Sequence, residues 1–126
     1  MKIFTTNLAR IIYALIIGIF GINHFINSKE LAVYVPSLIP GGIIWVYIIG
    51  VTLIASSISI FMGRYVRQTC LLLSVFLILV VFVVHIPGLL NPDIMQSSMF
   101  NLLKDSGLAG GGLILAGILD LRDVNQ

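Results

Sequence analysis

His24 and His85 are the side chains in this sequence best suited to chemistry, and each closes an apolar run, in GINHF and in FVVHIPG. An imidazole can donate or accept a hydrogen bond, relay a proton near neutral pH or ligate a metal. Two of them meeting at one level of a membrane protein would suit a quinone carbonyl, a haem or metal, or a proton path. Asn23, Asn27 and Trp45 fall near the same level and complete a candidate ligand pocket with His24 and His85. The competing reading makes each histidine an interfacial residue bonded to a connector carbonyl. Metal or haem is disfavoured, because no carboxylate or thiolate accompanies the two imidazoles in the sequence. The residues themselves assign no cofactor; a quinone is one candidate, and haem or metal is not expected.

Arg10 and Asp120 form a second constellation. Arg10 is either a topology anchor that snorkels to headgroups or a charge facing the bundle, where it would hold an anion or a carbonyl. Asp120, near the end of the last apolar run and on the same side, is its expected ion-pair partner. Arg64 and Arg67 read as stop signals at the headgroups, and Tyr34, Trp45 and Tyr47 fit an outer aromatic belt. Cys70 is the single cysteine, which excludes an internal disulfide, a CxxC redox pair and a zinc cluster. It reads as a structural thiol with nothing nearby to activate it. No P-loop, HExxH or GxSxG is present, and no run pairs two carboxylates. A self-sufficient enzyme is not expected.

Composition dictates the elements that hold these residues. Of 126 residues, 59% are hydrophobic and 10% charged, with a mean hydropathy of +1.12; a soluble domain carries about 25% charged residues. Lipid must therefore be the solvent. A membrane-spanning helix needs about 20 apolar residues, so four spans nearly exhaust one domain covering 1–126. The apolar runs predict spans at about 8–26, 43–62, 69–86 and 102–121. The last is the weakest and requires Lys104 and Asp105 to sit at the interface, where Lys104 can snorkel. Pro36, Pro40 and Gly41-Gly42 break the first connector, and 63–68 makes a short turn. Pro87, Gly88 and Pro92 open a longer connector whose Leu89, Leu90, Ile94, Met95, Met99 and Phe100 suit a segment lying on the membrane surface. Lys2 and Arg10 precede the first apolar run, but no A-x-A-like site follows, so an uncleaved helix is expected.

The net charge of +2 and pI near 8.9 include no basic run, which argues against nucleic acid as a partner. Lys2, Arg10, Arg64, Arg67 and Arg122 fall on one side, Lys29 and Lys104 on the other. The positive-inside rule then predicts an all-α membrane protein, a four-transmembrane-helix bundle with both termini cytoplasmic. Small and polar residues recur at helical spacing: Ala14, Gly18 and Gly21 in the first span, Thr52, Ser56 and Ser59 in the second, Cys70 and Ser74 in the third. The fourth carries Gly107-x-x-x-Gly111 with Gly110, Gly112, Ala116 and Gly117. These seams are expected to face inward, where small residues let backbones approach. His24 and His85 each end a helix that leads through a Pro- or Asn-bearing connector into a return helix, a pattern two related helical hairpins would produce.

The run from Arg10 to Phe25, RIIYALIIGIFGINHF, resembles the first helix of DoxX-like membrane proteins, with an arginine before a Gly-containing helix that ends in a GxxxF segment. Ile49-Gly50 through Gly63-Arg64, followed by a small-residue third helix, is similar to that family's second hairpin. Phe100 to Ile118, FNLLKDSGLAGGGLILAGI, resembles its last helix. The resemblance implies a four-helix bundle in a bacterial inner membrane, associated with quinone-linked redox complexes and with redox-defence proteins. The chain departs from many members in having no carboxylate between Val51 and Met62. The expected role is a non-catalytic subunit or partner of a membrane redox assembly, in contact with the lipid bilayer and with a protein partner or a second copy of itself. Two rivals stand beside it: a small-molecule or ion transporter or channel, and a ligand-free membrane scaffold.

Overall fold

Apolar side chains take this chain into lipid, where every backbone N–H and C=O must find its partner within the segment, and helix is the solution. A computed structural model describes residues 1–124, with side-chain surroundings through Leu121. It contains four helices long and apolar enough to cross a membrane. They are α1 (Lys2–Ile26), α2 (Ile43–Met62), α3 (Val66–Gly88) and α4 (Met95–Val124). The protein is thus an all-helical, multi-pass integral membrane protein, and its described residues contain no strand. Large apolar side chains such as Ile19, Phe61, Leu72 and Ile114 point outward, while Ala14, Ile17, Ser74, Cys70 and Ala109 are buried. Small and polar groups at the helix contacts with bulky hydrocarbon outside is the order expected in a bilayer.

Three boundaries differ from the sequence-based expectation. α1 begins at Lys2 rather than near residue 8, because its polar first turns still form helix. α3 starts at Val66 and persists through Gly88. α4 starts at Met95 rather than near 102, so most of the segment expected to lie on the membrane surface is helix instead. The real connector is 89–94, where the Asn91 side chain accepts from the Asp93 backbone N–H at 3.1 Å before the helix restarts. Between α1 and α2 the chain makes a single α-turn (Ser28–Leu31) and a 3₁₀ turn (Ala32–Tyr34).

Two close hairpins build the bundle. α1 lies along α2 with Gly18 and Gly21 against Ser57 and Ile54, and with Gly50 against Phe25 and His24. The Ser57 hydroxyl donates to the Ala14 carbonyl at 2.7 Å. α3 lies along α4, where Ser74 donates to the Ala109 carbonyl at 2.9 Å beside Gly112. The hairpins meet more sparsely, and Tyr13 of α1 ties them together by donating to the Leu108 carbonyl at 2.7 Å. The α4 glycines divide: Gly111 and Gly112 face Tyr13, whereas Gly107, Gly110 and Gly117 have open space beside them. The inward seam expected of the whole Gly107-x-x-x-Gly111 set is thus half right. A helix has more than one face, and these glycines occupy two.

At the end of the bundle that holds the termini, Arg10 and Asp120 do not pair. Arg10 Nη1 donates to the carbonyls of Ile60 (2.5 Å) and Phe61 (2.8 Å), capping α2 where it ends at Gly63 in the left-handed region (φ 74°). Asp120 instead meets Arg67 at 3.1 Å. The reason is adjacency: Arg67 lies on α3, the hairpin partner of Asp120's helix, whereas α1 only grazes α4. Arg122, counted in the orientation argument, has a side chain outside the described residues. The two arginines should respond differently to mutation. Arg10→Met removes two charge-assisted hydrogen bonds at the end of α2, where the Ile60 carbonyl keeps only the Gly63 N–H, and should destabilise the protein by roughly 2 kcal/mol. Asp120→Ala breaks a half-exposed pair and should cost less than about 1 kcal/mol. Denaturant unfolding of the detergent-solubilised variants measures both, and a larger loss for Asp120→Ala would contradict this placement.

Candidate functional site

The end of the bundle away from the termini encloses a cavity of about 330 Å³, within the size range of small-ligand sites. Its walls are Ile17 and Phe20 of α1, Leu53 of α2, and Phe76, Leu77 and Val80 of α3. Leu31, Tyr34, Val35 and Ile39 of the first connector line it as well. Its polar residues are Asn23 and His24 at the end of α1, His85 at the end of α3, and Asn101, Lys104 and Asp105 of α4. Trp45, from the first turn of α2, also lines it, with its indole N–H donating to the Pro40 carbonyl at 2.7 Å.

Local backbone irregularity aims His85. Pro87 has no N–H, and its ring crowds the carbonyl four residues back, so an α-turn cannot close there. The helix widens instead: Val81–His85 is a π-helical stretch, closed by the Ile86 N–H donating to the Val81 carbonyl five residues earlier. Such turns interrupt the side-chain phase of a helix and often accompany functional residues. His85 is buried here, and its Nε2 meets Asp105 Oδ2 at 2.8 Å. The other carboxylate oxygen lies 3.3 Å from Lys104 Nζ. Lys104 in turn stands 4.3 Å above the centre of the Phe20 ring, a cation–π contact that ties α4 to α1. Asp105 is therefore held on both oxygens, and the His85 and Asp105 side chains are 8% and 9% exposed.

His24 is fixed by its own helix, with Nδ1 2.7 Å from the Phe20 carbonyl. It lines the same cavity as His85, Lys104 and Asp105. Two buried side-chain polar atoms among the described residues have no partner: His85 Nδ1 and Ser98 Oγ. Ser98 sits against Gly88, where a Cβ on the glycine would collide with its hydroxyl. No group of three or more His, Cys, Asp or Glu among the described residues could hold a metal ion.

Four of the five residues expected to form a pocket, Asn23, His24, Trp45 and His85, do line one cavity. Asn27 does not; its amide donates to Asn23 Oδ1 at 2.5 Å and orients that side chain from behind. Lys104 and Asp105, expected at the interface, are in the site instead. A charge inside an apolar span is costly without partners, and His85 and Phe20 supply them. The signal that could have revealed this is phase. Asn101, Asp105, Leu108 and Gly112 fall at i, i+4, i+7 and i+11, one face of a helix.

A family model described as DoxX matches residues 5–86, which takes in most of α1, all of α2 and α3 through Ile86. Comparison with curated proteins and with solved structures found no match.

Proposed function

The chain belongs to the DoxX family, and on that premise we propose that it is a small, non-catalytic subunit of a quinone-linked membrane redox assembly whose cavity holds the quinone-class ligand. One observation carries this reading: a single apolar-walled cavity gathers His24, His85 and Trp45 at one end of the bundle. Apolar walls with a few convergent polar groups suit a lipophilic ring that presents oxygens. The bias of basic residues toward the other end of the bundle supports termini in the cytoplasm and a cavity near the outer face of a bacterial inner membrane. A protein partner or a second copy completes the proposed assembly. Replacing both His24 and His85 with alanine should abolish quinol-linked activity of the assembly in native membranes. Unchanged activity with unchanged assembly would overturn the proposal.

One observation favours a transporter instead. Irregular helix at membrane depth is tolerated where it lines a cavity, and the π-helical stretch before Pro87 does so. Solute or ion flux into liposomes containing the pure protein would establish that reading, and its absence would remove it.

A further inference from the structure

We infer that the cavity is entered from within the bilayer, between α2 and α3, and that its ligand carries a hydrocarbon tail lying in the groove that continues this opening. The inference rests on the quinone-class reading above and adds the ligand's path and its tail. Four of the residues lining the cavity are exposed, and all stand on these two helices: Trp45 (42%) and Ile48 (43%) on α2, Leu79 (56%) and Val83 (47%) on α3. Every other lining residue, on α1, α4 and the first connector included, is buried or half-buried. The open side of the cavity therefore lies between α2 and α3. Leu79 is nine residues inside the Gly88 end of α3, about 13 Å along a helix. An opening at that depth meets acyl chains rather than water.

From the opening a groove runs between α2 and α3 toward the end of the bundle that holds the termini. Val51, Ala55, Leu72 and Leu73 line it, and Phe76 lines both groove and cavity. Helical phase makes the two spaces continuous. Ile48, Thr52, Ala55 and Ser59 fall at i, i+4, i+7 and i+11, one face of α2. Thr69, Leu72, Phe76, Leu79 and Val83 fall at i, i+3, i+7, i+10 and i+14, one face of α3. Each stripe carries residues of the groove and of the opening. Three of the groove's four hydroxyls are already engaged: Thr52 donates to the Ile48 carbonyl at 2.9 Å, and Ser59 and Thr69 share a hydrogen bond at 2.9 Å. What the groove offers an occupant is mainly hydrocarbon, over about 10 Å from Thr69 to Phe76. A ring held in the cavity sends its tail out past Phe76, and the groove receives it.

The probe is a benzoquinone whose decyl tail ends in a diazirine, photolysed with the wild-type protein in nanodiscs and mapped by peptide mass spectrometry. Label is expected at 51–55 of α2 and 72–76 of α3, and excess decylubiquinone should remove it. A phosphatidylcholine with the same photoreactive chain should also label outward-facing Ile19 and Ile114, without competition. Ala55→Phe, at an exposed position, fills the groove and should abolish the competable label there. Ile58→Phe, at a residue lining neither space, should keep it. Trp45, the single tryptophan, lines the cavity and reports ring occupancy separately by quenching; quenching by the same benzoquinone without its tail should persist in Ala55→Phe. Saturable quenching with the tail label on other faces or on the connector at 32–40, or a label unchanged by Ala55→Phe, overturns the inference and leaves a quinone-class pocket standing. Absence of saturable quenching in the wild type overturns the pocket and the inference together. Should Ala55→Phe not fold, the wild-type label map decides.

Discussion

Gly21→Leu should yield no folded protein, and Gly21→Ala should already cost about 1–3 kcal/mol, the scale of overpacking in a filled core. A Cβ at Gly21 would lie 2.7 Å from Ile54 Cγ1, 3.0 Å from the Ile54 backbone nitrogen and 3.1 Å from Leu53 Cβ. The side-chain contact can relax by rotation, but the backbone nitrogen cannot. The α1–α2 hairpin must open, and opening it withdraws Ser57 from the Ala14 carbonyl. Gly107→Ala is the matched control. Nothing lies within 4 Å of a Cβ there, so its effect should stay within about 0.5 kcal/mol. Unfolding in mixed detergent micelles compares the two, and equal midpoints would mean that the helices are not in contact at Gly21.

Asp105→Ala should destabilise the bundle by about 3 kcal/mol, since removing one partner of a buried ion pair strands the other. Lys104 would keep its place over Phe20 with no carboxylate, and His85 would lose the group that accepts its N–H. Lys104→Met should be milder, because Asp105 retains His85 and the cation's stem is partly exposed. The double variant should recover part of the loss, since no stranded charge remains. The same unfolding measurement applies. Strict additivity of the two single effects would show that Lys104 and Asp105 do not interact.

The four spans were legible because lipid solvation writes itself into long apolar runs, and three charges or fewer do not hide them. Their ends were less so. Met95, Met99 and Phe100 fit a surface segment by composition, and only the Asn91 turn with Pro92 shows where the chain stops and restarts as helix. The pocket was legible in part for the same reason. His24 and His85 each close an apolar run that ends at the same end of the bundle, so their place at one cavity follows from antiparallel topology. Asp105 was not legible, because its burial depends on two contacts made by other helices, to His85 and through Lys104 to Phe20. The Arg10 site shows the same limit: a capped carbonyl was one of its two readings, but which helix end it caps is a matter of packing. Arg67 reached Asp120 first for the same reason.

The π-helical stretch also bears on how this site could be gained or lost by descent. A turn closed by five residues rather than four holds one residue more than the α-helix around it. Deleting a single residue from 81–84 would let that turn close as α, at the cost of rotating everything beyond it by about 100° relative to everything before. If the part before the turn keeps its packing, with Ser74 on the Ala109 carbonyl, then His85 leaves Asp105 and Gly88 leaves Ser98 together. A relative of this protein could keep every residue of the site, carry one gap in its third helix, and have no site at all. Insertion of one residue into such a helix would be the simplest way to have made it.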